Sequence, residues 1–493
     1  MTPEMLVSLK AFAPELTLVG FLSLLFLLDG FVPKLRENRF PLIWVIVSCF
    51  AAGVATAVGK GLSGDFFSGL VTETGLVAFF RYFFFFACGV TAYVTLGSKE
   101  IEERGRSEFS LLILCMTFGM SLMVLANHFL MLYIGIETVS IISFVLAGFN
   151  RESSRSNEAS FKYLVYGAVS SGLMIYGISL VYGYTGALSY PAIAEALIKN
   201  NGTHPFVFYL ALVMIYAGFA YKISSFPFHF WTPDVYEGSP TPVATFFSVG
   251  PKAAGFGALL HFVLTALSQK QEGGVFTPIA GIQLAPVMAL ISAATMVVGN
   301  LSAIAQTNVK RMLAFSSIAH VGYVLMGFVV MTPAAFSSII FYLIAYCAMN
   351  LGAFWIVGIV TDEKKGSELS DFKGMGWRTP VMGVCMAIFL FSLTGIPLFS
   401  GFIGKFLIFG NLIQSQSYLW LALLGVLNSV VSLYYYTKIL RAMWLEKPES
   451  SDSAELRLPL SQLVGLLGLA LPTVILGLFF SPVLEMAQRW ITQ

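Results

Sequence analysis

Four lysines and a glutamate stand where the surrounding sequence offers them almost no water. Lys222 lies deep in an apolar run, Lys252 follows Gly250-Pro251 with apolar residues on both sides, and Lys405 ends SGFIGK. Lys162 sits a few residues inside a further run, and Glu137 occupies the middle of LYIGIETVSIISFVLAGF. A charged side chain at the centre of a bilayer costs ~2.5–3.5 kcal/mol or more, and such residues mark ion and proton paths. Lysine deprived of water holds its proton less tightly, and a carboxylate beside it restores that hold. A Glu–Lys contact that forms and breaks is therefore a proton switch, titrating as one unit. Plainer readings stand beside this one. Glu137 could be neutral and bonded to a backbone carbonyl, and Lys162 could be the i+4 partner of Glu158 at a helix end. His229 and His320 (in SSIAHVGYVL) suit proton shuttling near neutral pH, or are neutral core histidines. Ser225, Thr241, Ser248, Ser316 and Tyr434 offer hydroxyls to connecting waters.

Lys222 and Lys405 each lie near a break within a long apolar run. SSFPFHFWTP places Pro227 after Lys222, and SLTGIPLFSGFIGKF places Pro397 before Lys405. Each proline removes a helix hydrogen bond and clashes with the turn before it. Freed carbonyls at membrane depth are tolerated where protein or a water-lined cavity receives them. The breaks make room for water, and the lysines hold transferable protons there. Asp234 and Glu237, just after the first break, read as loop residues.

The elements that must position these groups are membrane helices. Of 493 residues, 57% are hydrophobic and 11% charged, with mean hydropathy +0.81, against about 25% charged in a soluble domain. The expected fold is an all-α polytopic membrane protein with about fourteen spans of ~20 apolar residues each. The spans fall near 14–33, 40–59, 76–97, 108–126, 128–149, 160–186, 206–226, 241–268, 277–299, 310–331, 334–360, 378–412, 418–441 and 458–480. The breaks fall in the seventh and twelfth. An offset of five spans inverts one unit relative to the other, which predicts inverted repeats over spans four to eight and nine to thirteen, with a path near the midplane. The chain divides accordingly into 1–107, 108–268, 269–445 and 446–493.

Most Lys and Arg fall in the odd-numbered loops, among them Lys34, Arg36, Arg104, Arg151, Lys364 and Arg441. The even loops and the termini hold Lys10, Lys60, Lys199, Lys270 and Arg489. The odd loops are thus expected in the cytoplasm and both termini outside. Lys310 and Arg311 fit the same pattern. Arg81 and Lys438 lie close enough to span ends to snorkel. The five cysteines are scattered singly, with no metal spacing, and a net charge of +2 gives no sign of nucleic-acid binding. The first apolar run lacks a basic leader and cleavage site and reads as a retained helix.

The run FPFHFWTPDVYEGSPTPVATFFSVGPKAAGF (Phe226–Phe256) resembles the antiporter-like membrane subunits of bacterial respiratory complex I, and its TPDVYEG…SVGPKAAGF wording resembles their N-type. VKRMLAFSSIAHVGY and TGIPLFSGFIGKF are similar in style to the same family. The resemblance spans essentially the full chain. It implies a proton-translocating subunit in the bacterial inner membrane, without a redox centre of its own. FMN, iron–sulfur clusters and quinone are implied elsewhere in the complex, and M-, K-, J- and L-type membrane subunits are implied as partners. It assigns proton transfer to Glu137, Lys222, Lys252 and Lys405, with Lys162, His229 and His320 in support. In the eleventh span the chain has Asn350 rather than a charge, so a relay from Lys252 to Lys405 is expected to need water or His320. A cation/proton antiporter or a hydrogenase-type membrane complex is the alternative.

Overall fold

A helix satisfies its own backbone in lipid, and the apolar runs form helices throughout. The protein is described by a computed structural model that covers residues 3–32, 38–59, 61–200, 202–271, 276–447 and 457–492. Lys34, Arg36 and Lys60, used above for orientation, lie outside the described residues. Within them, 13 helices are long and apolar enough to cross a membrane. The first four spans are Ala13–Phe31, Phe40–Val58, Gly75–Gly97 and Arg106–Leu125. Phe129–Ala147, Ser154–Thr185, Phe206–Ile223 and Thr241–Ala266 follow as the fifth to eighth. Leu284–Ile304, Val309–Leu325 and Pro333–Lys364 are the ninth to eleventh, and Leu419–Leu445 and Leu460–Leu478 the last two. The twelfth is the discontinuous pair Pro380–Thr394 and Ser400–Ser415, each half too short to qualify alone. It completes the expected set.

The structure departs from the sequence reading at several places, the sixth span starting at Ser154 rather than near 160 among them. The ninth span starts at Leu284 rather than near 277, because Phe276–Pro278 pairs as a strand with Ser268–Lys270 and Gly281 then takes φ +83°. Asp234 and Glu237 are not in a loop, since Trp231–Gly238 is a short helix after the first break. Beyond the last span, Ser481–Thr492 forms a further helix whose Trp490 packs on Phe79.

The inverted repeat is visible in the backbone. Phe129, opening the fifth span, donates to the Leu188 carbonyl, and Tyr190 donates to that of Asn127. In the second unit Val309 donates to Ser367, and Leu369 to Thr307. Each unit thus clasps the start of its second helix to the segment beyond its third, and both third helices have 32 residues. Each break also begins alike. Ser224 (φ 66°) and Gly395 (φ 91°) turn left-handed, and the next residue's N–H reaches back five residues, Ser225 to Ala220 and Ile396 to Phe391. That is the helix-ending motif in which a left-handed residue satisfies orphan carbonyls. Gly401 lets the halves of the twelfth span meet, because a Cβ there would lie 2.0 Å from the Ser392 carbonyl oxygen.

Burial ranks the spans. Over its most apolar 18 residues the eighth is wholly buried, the eleventh 94% and the tenth 89%, whereas the first and fourteenth are 22% and 28%. These three inner spans carry Lys252, His320 and Asn350.

Candidate functional site

Lys222 is fully buried one turn before the first break. Its Nζ donates to Ser140 Oγ at 2.8 Å. Ser140 stands one turn after Glu137 on the fifth span. The expected Glu137–Lys222 ion pair is not in contact among the described residues. Glu137 is half-buried, its Oε1 is enclosed without a protein partner, and Lys222 lies within its electrostatic reach. Glu137 and Ser140 therefore share a face of the fifth span, and Lys222 of the seventh meets that face at the serine. Trp231 Nε1 donates to the Tyr221 carbonyl at 3.0 Å, capping the broken end, and Phe226 N–H donates to Thr295 Oγ1 at 3.1 Å. His229 lies in the break, 3% exposed, between the rings of Phe226 and Phe230, with Nδ1 unpartnered.

Lys252 donates to Ser317 Oγ at 2.6 Å and lies 5.5 Å from the Tyr236 ring centre. A cavity of about 10 Å³ beside it is lined by Lys252, Ser317, His320 and Tyr346, which is close to the room one water needs. His320 comes next. Its Nδ1 is 2.5 Å from Tyr342 Oη, its Nε2 is 3.2 Å from Tyr436 Oη, and Tyr436 in turn bonds Ser316. Both Lys252 and Lys405 act on His320 electrostatically. Lys405 is 3% exposed and donates to the carbonyls of Leu393 and Thr394 at 2.9 Å each. Those are the last carbonyls of a half-helix, where the macrodipole favours a cation. The Tyr323 ring centre lies 4.4 Å away, a cation–π contact. Asn350 and Tyr346, one turn apart on the eleventh span, keep buried polar atoms without partners.

Lys162 sits elsewhere. It is 36% exposed and bonds Glu158 at 2.6 Å and Asp234 at 2.7 Å. Arg311 joins from the tenth span, 2.5 Å from Asp234 and 3.0 Å from Glu237. The i+4 pairing with Glu158 is present, and Asp234 ties it to the first break. Lys310 is not a loop cation but 5% exposed, donating to the Ser239 carbonyl at 2.7 Å.

Other readings are overturned. Arg81 does not snorkel. It is 2% exposed and binds Glu15 through Nε and Nη2 at 2.7 and 2.8 Å and Glu73 through Nη1 at 2.6 Å. Burial pushes the Glu73 carboxyl up to about 7, with Arg81 opposing and Glu15 adding to it. Lys438 is half-buried and donates to the Ile304 carbonyl at 2.6 Å. Tyr434 is 58% exposed, and the inward tyrosines of that span are Tyr435 and Tyr436. Ser140, Ser317, Tyr342 and Tyr436 were missed. A serine at i+3 from Glu137 and one three residues before His320 were the available signals.

A buried lysine at each of two broken helices, with a third lysine and a histidine buried on the spans between them, is the arrangement of an antiporter-like membrane subunit. The family model described as NADH:quinone oxidoreductase/Mrp antiporter, transmembrane, matches residues 126–432. The chain is 42% identical to NADH-quinone oxidoreductase subunit N 2 of Sorangium cellulosum, over 99% of this chain and 98% of that one. It belongs to the subunit N family of NADH-quinone oxidoreductase. Among solved structures, a chain of respiratory complex I from Thermus thermophilus is similar with TM-score 0.78 and 28% identity, covering 96% of this chain and 99% of that chain. A chain of the Mrp complex from Dietzia sp. shares the fold, with TM-score 0.81 at 19% identity, covering 100% of this chain and 97% of that one.

Proposed function

We propose that this chain carries protons outward across the bacterial inner membrane as part of the membrane arm of NADH:quinone oxidoreductase. Its neighbours are M-, K-, J- and L-type subunits, its termini lie on the periplasmic side, and units 108–268 and 269–445 are its two transport repeats. FMN, iron–sulfur clusters and quinone act in other chains. The observation that carries the reading is the buried sequence Lys252–Ser317, His320 with its two tyrosines, and Lys405 on the carbonyls of the second break.

A cytoplasmic proton loads Lys222 or Lys252. Quinone reduction elsewhere shifts the electrostatic balance along the arm. When Glu137 approaches Lys222 the ammonium is favoured there, and when it withdraws the proton is driven on. The tyrosine-flanked imidazole of His320 passes it between Lys252 and Lys405, and Lys405 releases it outside. Moving one charge against 100 mV takes ~2.3 kcal/mol, and changing a lysine's proton affinity by ~2 pK units supplies about 2.7 kcal/mol. Sodium exchange would call for a cage of carboxylates and carbonyls; the buried axis presents ammonium groups instead.

The test is Lys252→Ala in the assembled complex, in membrane vesicles. NADH oxidation by an artificial acceptor should persist while proton accumulation falls. Full accumulation per NADH in that variant would refute the reading, and a loss specific to added sodium would move it to the antiporter alternative.

A further inference from the structure

The loops after the third and fifth spans enclose a cavity of about 550 Å³, on the side that the positive-inside rule assigns to the cytoplasm. Glu100, Glu102, Glu108 and Glu152 line it, with Arg151 beside Glu108 at 3.7 Å. At its inner end Glu100 meets the start of the eighth span. Its Oε2 accepts from the Thr241 N–H at 2.8 Å, while its Oε1 is buried without a protein partner. Thr241 Oγ1 and Ser239 Oγ are also unpartnered, on side chains 1% exposed. Buried polar atoms are almost always bonded. Three with spare capacity around one helix start form a polar seat fit for a proton and its water.

From that seat a polar stripe runs inward. Thr241, Thr245, Ser248 and Lys252 follow each other at steps of four, three and four, the spacing of one helix face. All four are buried. Thr245 Oγ1 donates to the Thr241 carbonyl and Ser248 Oγ to that of Thr245, each at 2.7 Å. With its proton so directed, each hydroxyl keeps lone pairs to accept with. The stripe covers about 16 Å at ~1.5 Å per residue. The remaining residues of this face's helix are apolar from Val249 to Pro251 and beyond Lys252 to Leu260, so the stripe stops at the lysine.

We propose that Glu100 is the cytoplasmic proton acceptor for Lys252, and that the hydroxyl face of the eighth span conducts the proton between them. The proposal rests on the proton-translocation reading above. A proton leaves cytoplasmic water for the Glu100 carboxylate, which becomes a neutral acid. It passes along water held by the Thr241, Thr245 and Ser248 hydroxyls to the Lys252 amine, which becomes ammonium as Glu100 returns to carboxylate. The charged groups facing Glu100 are Asp362 at the end of the eleventh span, Lys310 at the start of the tenth, and Glu102 on its own loop. Lys310 donates to the Ser239 carbonyl at the head of the stripe.

Glu100→Gln keeps an oxygen for the Thr241 N–H and cannot carry a proton. Thr245→Val with Ser248→Ala removes the stripe's hydroxyls and leaves Glu100 in place. Both are measured in the whole complex in vesicles beside Lys252→Ala, with NADH oxidation by an artificial acceptor reporting assembly. Each should slow proton accumulation about a hundredfold, the lower end of what a positioned proton-transfer group contributes. Glu100→Gln should also flatten its dependence on cytoplasmic pH, and Glu100→Asp should restore part of both. If Lys252→Ala fails while Glu100→Gln and the hydroxyl pair transfer protons like the wild type, the Glu100 route is overturned and the wider reading stands. If Lys252→Ala itself transfers normally, the wider reading falls first. Should Glu100→Gln reduce assembly, the hydroxyl pair decides: slow transfer supports the route, and normal transfer overturns it.

Discussion

At the first helix break an indole caps the freed carbonyl; at the second a lysine does. Trp231 holds the Tyr221 carbonyl, which leaves Lys222 free to bond Ser140. Lys405 itself holds the carbonyls of Leu393 and Thr394. The first break is therefore latched by a group that never changes charge, and its lysine can gain or lose a proton with the backbone held. In the second, the latch and the proton carrier are one side chain. Loss of the proton there weakens a charge-assisted cap, so transfer out of Lys405 and loosening of the break are coupled.

Breaking the second latch should have the largest effect. Lys405→Met leaves two buried carbonyls without a donor, at about 1–3 kcal/mol each. The detergent-solubilised complex should melt earlier and vesicle proton uptake should collapse. Unchanged melting would show that other groups hold this break. Lys222→Met is expected to separate the two quantities. Ser140 keeps its own bond to the Ile136 carbonyl at 2.7 Å, so losing the lysine leaves no buried donor without an acceptor. Melting should hold within about 1 kcal/mol, the net worth of one hydrogen bond, while proton transfer falls by about two orders of magnitude. Comparable destabilisation in both lysine variants would erase the distinction between the breaks.

Tyr342→Phe probes the link between the halves. It removes the hydroxyl 2.5 Å from His320 Nδ1 and should slow proton transfer several-fold, with assembly and artificial-acceptor activity intact; a normal transfer rate would take His320 out of the path. Trp231→Phe should have the smallest effect on transport. It deletes one bond at the first break, for about 1 kcal/mol, visible as a small fall in melting temperature. A transport defect as deep as that of Lys222→Met would mean the indole does more than latch.

The lysines, Glu137 and the two prolines were legible because each is costly in lipid wherever the chain places it. Ser140 and Ser317 were not, because serine is ordinary in a membrane helix and its value here lies in the lysine facing it. Tyr434 and Tyr436 show the limit clearly. Residues two apart on a helix point about 200° apart, and a span apolar on all sides does not declare which side faces inward. Arg81 was misread for a related reason. Its partners lie on the first span and on the hairpin at 64–73, and distance along the chain says nothing of their meeting.

Sequence alone determined that this chain spans the membrane many times, that two spans are broken in inverted positions, and that Lys222, Lys252 and Lys405 lie at depth, since hydropathy, proline and charge act locally. Tertiary structure alone decided that Lys222 holds Ser140 rather than Glu137, that Lys252 holds Ser317, that Lys405 is a cap, and that Glu100 meets the head of a hydroxyl face. Those depend on the rotation and depth at which helices pack, and such angles are set by contacts between residues far apart in the chain.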